Sequence, residues 1–203
     1  MSIGEGDEVR VSIAIATWNR DRLIAQTLQH MKRLHVPPGV AWEIVIADNN
    51  SSDNTRQVVR DMMGELPLRY VYEPKQGSSF ARNRAIAECT GDYILWTDDD
   101  VLVPVNWLDD YVEAFQRFPD HAFFGGPIEP YFEPECPAWL QRTQDALGPV
   151  YGRLDLGNQE LLLPTPDGRL PYGANWAVRI DWQRRFLYDP YLGPKRHGRV
   201  SGA

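Results

Sequence analysis

Four near-continuous apolar runs, each followed by a helical pattern, constrain this chain more than anything else in it. Val9–Thr17 (VRVSIAIAT) and residues 42–47 (WEIVIA) are rich in β-branched side chains and lack strict polar–apolar alternation. That is the texture of strands buried on both faces of a parallel sheet. Leu68–Tyr72 and Tyr93–Trp96 repeat it. After the first run, Leu23, Ile24, Thr27, Leu28, Met31 and Leu34 fall on one side of a helix, which Pro37-Pro38-Gly39 ends. A second helix is predicted from an N-cap at Ser52 or Asp53 to about Met63. A third starts after Ser78 or Ser79 and carries Phe80, Ala81, Ala85, Ile86 and Ala87; a fourth runs from Pro104 to Phe118. Four strand–helix repeats predict an α/β fold with right-handed crossovers and a mainly parallel sheet flanked by helices.

In such sheets the ligand crevice lies beyond the carboxyl ends of the strands. Three clusters of polar residues fall there: Thr17-Trp18-Asn19-Arg20, Asp48-Asn49-Asn50 and Asp98-Asp99-Asp100. If the fourth strand continues into the aspartates, Asp98 and Asp100 share a face and Asp99 turns away. Like charges held that close repel, and a hard divalent cation with oxygen ligands would offset the cost. The alternative is a solvated acidic turn before the next helix.

The 203 residues suffice for one domain with a sizeable core. A net charge of −7 argues against a nucleic-acid backbone as the main partner. The two cysteines, Cys89 and Cys136, have no metal-ligand spacing and read as free thiols of a reducing compartment. No apolar run approaches the ~18 residues needed to span a bilayer, and the acidic, Gly-rich N-terminus is unlike a secretory signal. The expectation is a cytoplasmic protein, at most in contact with the cytoplasmic face of a membrane.

From residue 121 the character changes. Residues 121–132 read as a strand broken by Gly125-Gly126, Pro137-Ala138-Trp139-Leu140 as a short helix, residues 160–171 as loop and residues 172–179 as a further strand. This Pro- and aromatic-rich part is expected to supply specificity to the first.

Taken together, these residues resemble the family 2 glycosyltransferases, inverting nucleotide-sugar enzymes of the GT-A fold. Residues 11–20 (VSIAIATWNR) are similar to the family's opening strand and T-Y-N-R loop. Residues 43–55 (EIVIADNNSSDNT) match V-D-N-x-S-x-D-x-T. Gly77 with Ala81-Arg82-Asn83, the aspartate triplet as the metal-binding D-x-D, and Gly173-Ala174-Asn175-Trp176-Ala177 as G-x-N-x-A complete the set. The order and spacing of these motifs carry more than any one of them.

The resemblance implies a nucleotide-sugar-binding part over residues 9–126 and an acceptor-side part of the same domain over residues 127–203. It implies donor contacts from Thr17, Trp18, Asn19, Arg20, Asp48, Arg82, Asp98, Asp99 and Asn175, and metal contacts from Asp98 and Asp100. Trp18, where the family usually has Tyr, would stack on the base; Asp48 would accept a base N–H; Arg82 would approach the diphosphate. The cation would be Mn²⁺ or Mg²⁺. The donor would be UDP-, GDP- or dTDP-linked, and the acceptor hydroxyl would belong to a saccharide, a lipid-linked or another molecule. Inversion also requires a general base. The family draws it from an acidic segment after a turn that residues 186–193 (FLYDPYLG) resemble, and the sequence reaches Ala203 before such a segment. The expectation is therefore that the base lies outside this chain, which could then bind donor yet transfer little. A nucleotidyltransferase would carry a Gly-rich, basic phosphate loop after the first strand, and Thr17-Trp18-Asn19-Arg20 is not one.

Overall fold

A computed structural model describes residues 8–132, 137–143, 147–155, 157, 159–163, 168 and 170–191. The strands are β1 (Val9–Thr17), β2 (Val40–Asp48), β3 (Leu68–Tyr72), β4 (Tyr93–Trp96), β5 (Phe123–Gly125) and β6 (Trp176–Arg179). They form one six-stranded sheet in the order β3-β2-β1-β4-β6-β5. The first four are parallel, with Thr17 opposite Asp48 and Val11 opposite Tyr93. β6 is antiparallel to both β4 and β5, so the second part of the chain completes the sheet of the first.

Helices α1 (Asp21–Met31), α2 (Thr55–Met62) and α4 (Trp107–Arg117) cover one face, and α3 (Ser78–Glu88) covers the other. Strand alternation divides the core accordingly. Ile13, Ile15, Ile44, Ile46 and Leu95 pack with Ile24, Leu28, Val59 and Phe115. Ala14, Val45, Ala47, Ile94 and Trp96 pack with Ala81, Ala85 and Ile86. The small residues on the second face let α3 lie close to β1 and β2. Short helices α5 (Ala138–Gln141) and α6 (Ile180–Gln183) follow in the second part.

Several boundaries differ from the sequence expectation. α2 starts at Thr55 because Asp53 sits before the helix, accepting bonds from the backbone N–H of Thr55 (3.0 Å) and of Asp21 (3.2 Å). α4 starts at Trp107, since Pro104 opens a turn closed by the Trp107 N–H (3.1 Å). β5 has three residues only. A Cβ on Gly125 would fall 2.1 Å from the Pro171 ring, and one on Gly126 2.6 Å from Asn175 Nδ2. The Gly-Gly pair thus admits a crossing segment rather than continuing a strand. β6 begins at Trp176, because residues 173–175 turn first, with Gly173 at φ +60°. Most consequential, β4 ends at Trp96, so the aspartates lie on a turn beyond the strand and its alternation does not place them.

Candidate functional site

The crevice is built by four loops at the carboxyl ends of β1, β2, β3 and β4. Asn19 ties the first to the second: its amide N–H donates to Ser51 Oγ (2.9 Å) and its Oδ1 accepts from the Ser52 N–H (2.7 Å). Its φ of 51° is left-handed, a conformation Asn tolerates better than most residues. Asn49, buried, ties the second to the third: it donates to the Lys75 carbonyl (2.6 Å) and accepts from the Gly77 N–H (2.8 Å). Asp48 is buried beside it. Its Oδ1 accepts from the Ser51 N–H (3.0 Å) and its Oδ2 from the Tyr70 hydroxyl (2.6 Å). Burial and that bond push the Tyr70 phenol well above its ordinary range.

The three aspartates have three environments. Asp99 turns inward and accepts from Thr17 Oγ1 (2.6 Å), while its carbonyl accepts from Thr27 Oγ1 of α1 (3.0 Å). Asp98 stands 3.8 Å from Arg82 Nη2, and Asp100 stands 3.7 Å from Arg20 Nη1, both beyond hydrogen-bond length. Burial raises the Asp98 carboxyl above the usual carboxylate range; Arg82 opposes the rise and Asp100 adds to it. Burial raises Asp99 likewise, against the Thr17 hydrogen bond. Gly173 borders the triplet, its missing Cβ 3.8 Å from Asp98 Oδ2. Arg82 also lies over the Tyr188 ring at 5.4 Å, and burial pushes that phenol up to about 12. Trp18 is half-buried at the end of β1.

Thr17, Trp18, Asn19, Arg20, Asp48, Arg82, Asp98, Asp99 and Asp100 thus gather at one edge of the sheet. Asn175 joins them as a clamp. Its Oδ1 accepts from Trp107 Nε1 (2.8 Å) and the Tyr111 hydroxyl (2.9 Å), and its Nδ2 donates to the Pro127 carbonyl (2.7 Å). The late basic residues Lys195, Arg196, His197 and Arg199, and Cys136, lie outside the described residues. Sequence reasoning gave no role to two further residues. Asn83 exchanges hydrogen bonds with the backbone of Tyr188 (2.8 and 2.9 Å), and Tyr70 holds Asp48. The only signal for Asn83 was its place beside Arg82 in a recognised motif.

Among the described residues no three His, Cys, Asp or Glu side chains gather around one point. Asp98 and Asp100 offer two carboxylates. That donor set fits a small hard cation of the Mg²⁺ kind, which keeps waters and takes its other ligands from phosphate oxygens.

Residues 12–179 match the family model for glycosyl transferase family 2. The succinoglycan biosynthesis protein ExoM of Rhizobium meliloti is 29% identical over 137 residues, which is 66% of this chain and 44% of ExoM. The validoxylamine A glucosyltransferase of Streptomyces hygroscopicus is 30% identical over 51% of this chain and 23% of its own. This chain therefore spans less than half the length of these relatives. Among solved structures, residues 1–349 of S. aureus TarS superpose over 91% of this chain and 52% of that one, with a TM-score of 0.70 at 17% identity. A Pyrobaculum calidifontis mannosyltransferase, solved with GDP-Man and Mn²⁺, does so over 93% of this chain and 50% of its own, with a TM-score of 0.63 at 20% identity. At those identities the likeness establishes the fold, the GT-A arrangement expected from the motifs.

Proposed function

Because the chain belongs to glycosyltransferase family 2, we propose that its strand-end crevice binds a nucleoside-diphosphate sugar and serves its transfer to an acceptor hydroxyl. The transfer is metal-assisted and inverts the anomeric carbon. One observation carries the reading. Among the described residues, two carboxylates, Asp98 and Asp100, stand without a close hydrogen bond, each facing an arginine at 3.7–3.8 Å. Asp98, raised by burial and by the neighbouring Asp100, gains from a cation, and arginines gain most from a diphosphate.

Asp98 and Asp100 would hold Mn²⁺ or Mg²⁺. Bound there, the cation supplies charge neutralisation to the departing nucleoside diphosphate. Arg20 and Arg82 flank the same space and orient the phosphates as they give up their aspartates. Trp18 stacks on the base, a contact worth roughly 1–3 kcal/mol. Asp48, oriented by Ser51 and Tyr70, keeps lone pairs for a base N–H, Asp98 also reaches the donor ribose, and Asp99, held by Thr17, lines the donor site. Asn175 acts on the donor through the segment it clamps, setting Gly173 beside Asp98. Residues 9–126 form the donor part in this reading and residues 127–203 the acceptor side. The protein works in the cytoplasm, at most against the cytoplasmic face of a membrane. Among the described residues no helix is long and apolar enough to cross one.

Calorimetric titration of UDP, GDP and dTDP, with and without Mn²⁺, tests the reading. We expect one nucleotide to bind with metal present and to lose that binding in Asp100→Ala. Metal-independent binding that survives the substitution would refute the assignment of the aspartates.

A further inference from the structure

A second concavity lies along the outer side of α1. Ala25, Gln26, Gln29 and His30 form one wall, Leu102 and Tyr131 the other, and the groove encloses about 310 Å³. Helical spacing sets the first wall, because residues three and four apart share a face. Thr27, between the wall residues, donates to the Asp99 carbonyl (3.0 Å), so the groove backs onto the turn that carries the aspartates. Leu102 follows that turn directly.

The lining mixes apolar surface from Ala25, Leu102 and Tyr131 with the polar groups of Gln26, Gln29 and His30, and carries no Asp, Glu, Lys or Arg. Gln26 makes no hydrogen bond to another described residue, and Gln29 reaches only the weakly accepting Met62 Sδ at 3.8 Å. Arg33 Nη2 donates to His30 Nδ1, and burial together with that guanidinium lowers the His30 pKa, favouring a neutral ring whose Nε2–H is left to donate. Tyr131 is 68% exposed, its ring presented to solvent at the mouth. Such a lining suits few ligand classes. A phosphate or carboxylate would find no cation among these walls. An acyl chain would leave the carboxamides and the imidazole Nε2–H against apolar carbon without partners, at a cost. A pyranose offers vicinal hydroxyls that match carboxamide donor–acceptor pairs, and an apolar C–H face that an exposed ring can cover. The volume is at the lower end for small-molecule sites and suits one sugar unit.

We propose that this groove holds a neutral sugar unit of an oligosaccharide acceptor, away from the hydroxyl that reacts. The proposal rests on the transferase reading and adds the acceptor's class: a glycan of more than one residue, gripped between α1 and Tyr131.

The test is NMR titration of the ¹⁵N-labelled full chain with three uncharged tetrasaccharides, maltotetraose, cellotetraose and chitotetraose, without donor or metal. At least one should shift the side-chain amide signals of Gln26 and Gln29. Tyr131→Ala should weaken that binding about three- to tenfold, the loss expected of one stacked ring, and Tyr131→Phe should restore it. Gln26→Ala should weaken it as well. Both positions are on the surface, and the dispersion of the backbone amide signals verifies that each variant folds. No shift of Gln26 or Gln29 with any of the three, or equal affinity in Tyr131→Ala, overturns the proposal. UDP, GDP and dTDP titrations of the same protein with Mn²⁺ added separate the two readings. Saccharide binding without nucleotide binding sinks the donor site and leaves the groove, and the converse result sinks the groove alone.

Discussion

Two acidic clusters sit at opposite ends of the same parallel strands. Toward the start of the strands, Glu43 of β2 is enclosed. Its Oε1 accepts from Ser12 Oγ (2.7 Å), Thr90 N (2.7 Å) and Thr90 Oγ1 (2.7 Å), and its Oε2 accepts from Arg69 (3.1 Å). Burial raises its carboxyl, but those donors outweigh burial and leave it below the usual range. Beyond the strands' ends, Asp98 and Asp100 have arginines nearby but accept no hydrogen bond from the described residues, and Asp98 is raised. The first cluster is complete within the protein and serves the fold, joining the start of β4 to β1 and β2. The second is incomplete among the described residues, and in the proposed reading a ligand completes it. Satisfaction, rather than the mere presence of carboxylates, separates a structural acid from a functional one.

Substitution at each end should break this comparison in opposite directions. The largest effect is expected for Asp100→Ala, which should lower glycosyl transfer by about 100-fold or more, the scale of losing a preorganised charge contact in the transition state. Unfolding free energy should stay within about 0.5 kcal/mol of the wild type, because no close hydrogen bond is lost. A strongly destabilised Asp100→Ala would mean that the aspartate turn is structural after all.

Glu43→Ala should do the reverse. It leaves the Ser12 and Thr90 hydroxyls, the Thr90 N–H and Arg69 without their acceptor, at about 2–3 kcal/mol in urea unfolding, with nucleotide affinity unchanged. The pH dependence has a definite sign. A carboxyl held low in the folded state contributes stability above its unfolded pKa of about 4.5, and that contribution is lost as pH falls through the lower folded value. Glu43→Gln should therefore flatten the loss of stability below that pH, and an acid limb identical to the wild type would contradict the assignment.

Asn175 tests the boundary between the two kinds of residue. Its acceptor oxygen serves two buried donors, Trp107 and Tyr111. Asn175→Ala should cost about 2 kcal/mol of stability and weaken donor binding through displacement of Gly173. Weakened binding at unchanged stability would instead place its amide directly on the donor.

The same distinction explains what was legible in the sequence. β1 to β4 were readable because strands buried on both faces leave long apolar runs, and the polar loops that follow them mark one edge of the sheet. Local motifs place Asp48 and Arg82 at that edge of the sheet, where the structure also has them. The clamps did not. Asn83 meets Tyr188 across 105 residues, and Asn175 meets Tyr111 and Trp107 across 64 and 68. A lone asparagine carries no local trace of so distant a partner. The sequence predicts β5 and β6 too long because glycine permits a strand as well as a crossing, and Pro171 and Asn175, which approach Gly125 and Gly126, decide between them. The sequence leaves open whether the strand runs on into the aspartates, because the apolar pattern of β4 gives no stop before Thr97.

Thr97 itself offers the smallest and sharpest test. Its Oγ1 is buried and has no hydrogen-bond partner among the described residues, one step before Asp98. A hydroxyl in that state costs stability, and Val has nearly the same shape without it. Thr97→Val should therefore raise the unfolding free energy by about 1 kcal/mol. Measured beside nucleotide affinity, the result divides cleanly. A stability gain with weaker nucleotide binding would make the hydroxyl part of the incomplete end of the sheet, held unsatisfied until a ligand arrives. A gain with unchanged binding would make it a packing defect. A loss of stability would mean that ordered water already satisfies it, and Thr97 would then belong with Glu43, among the groups the fold has completed.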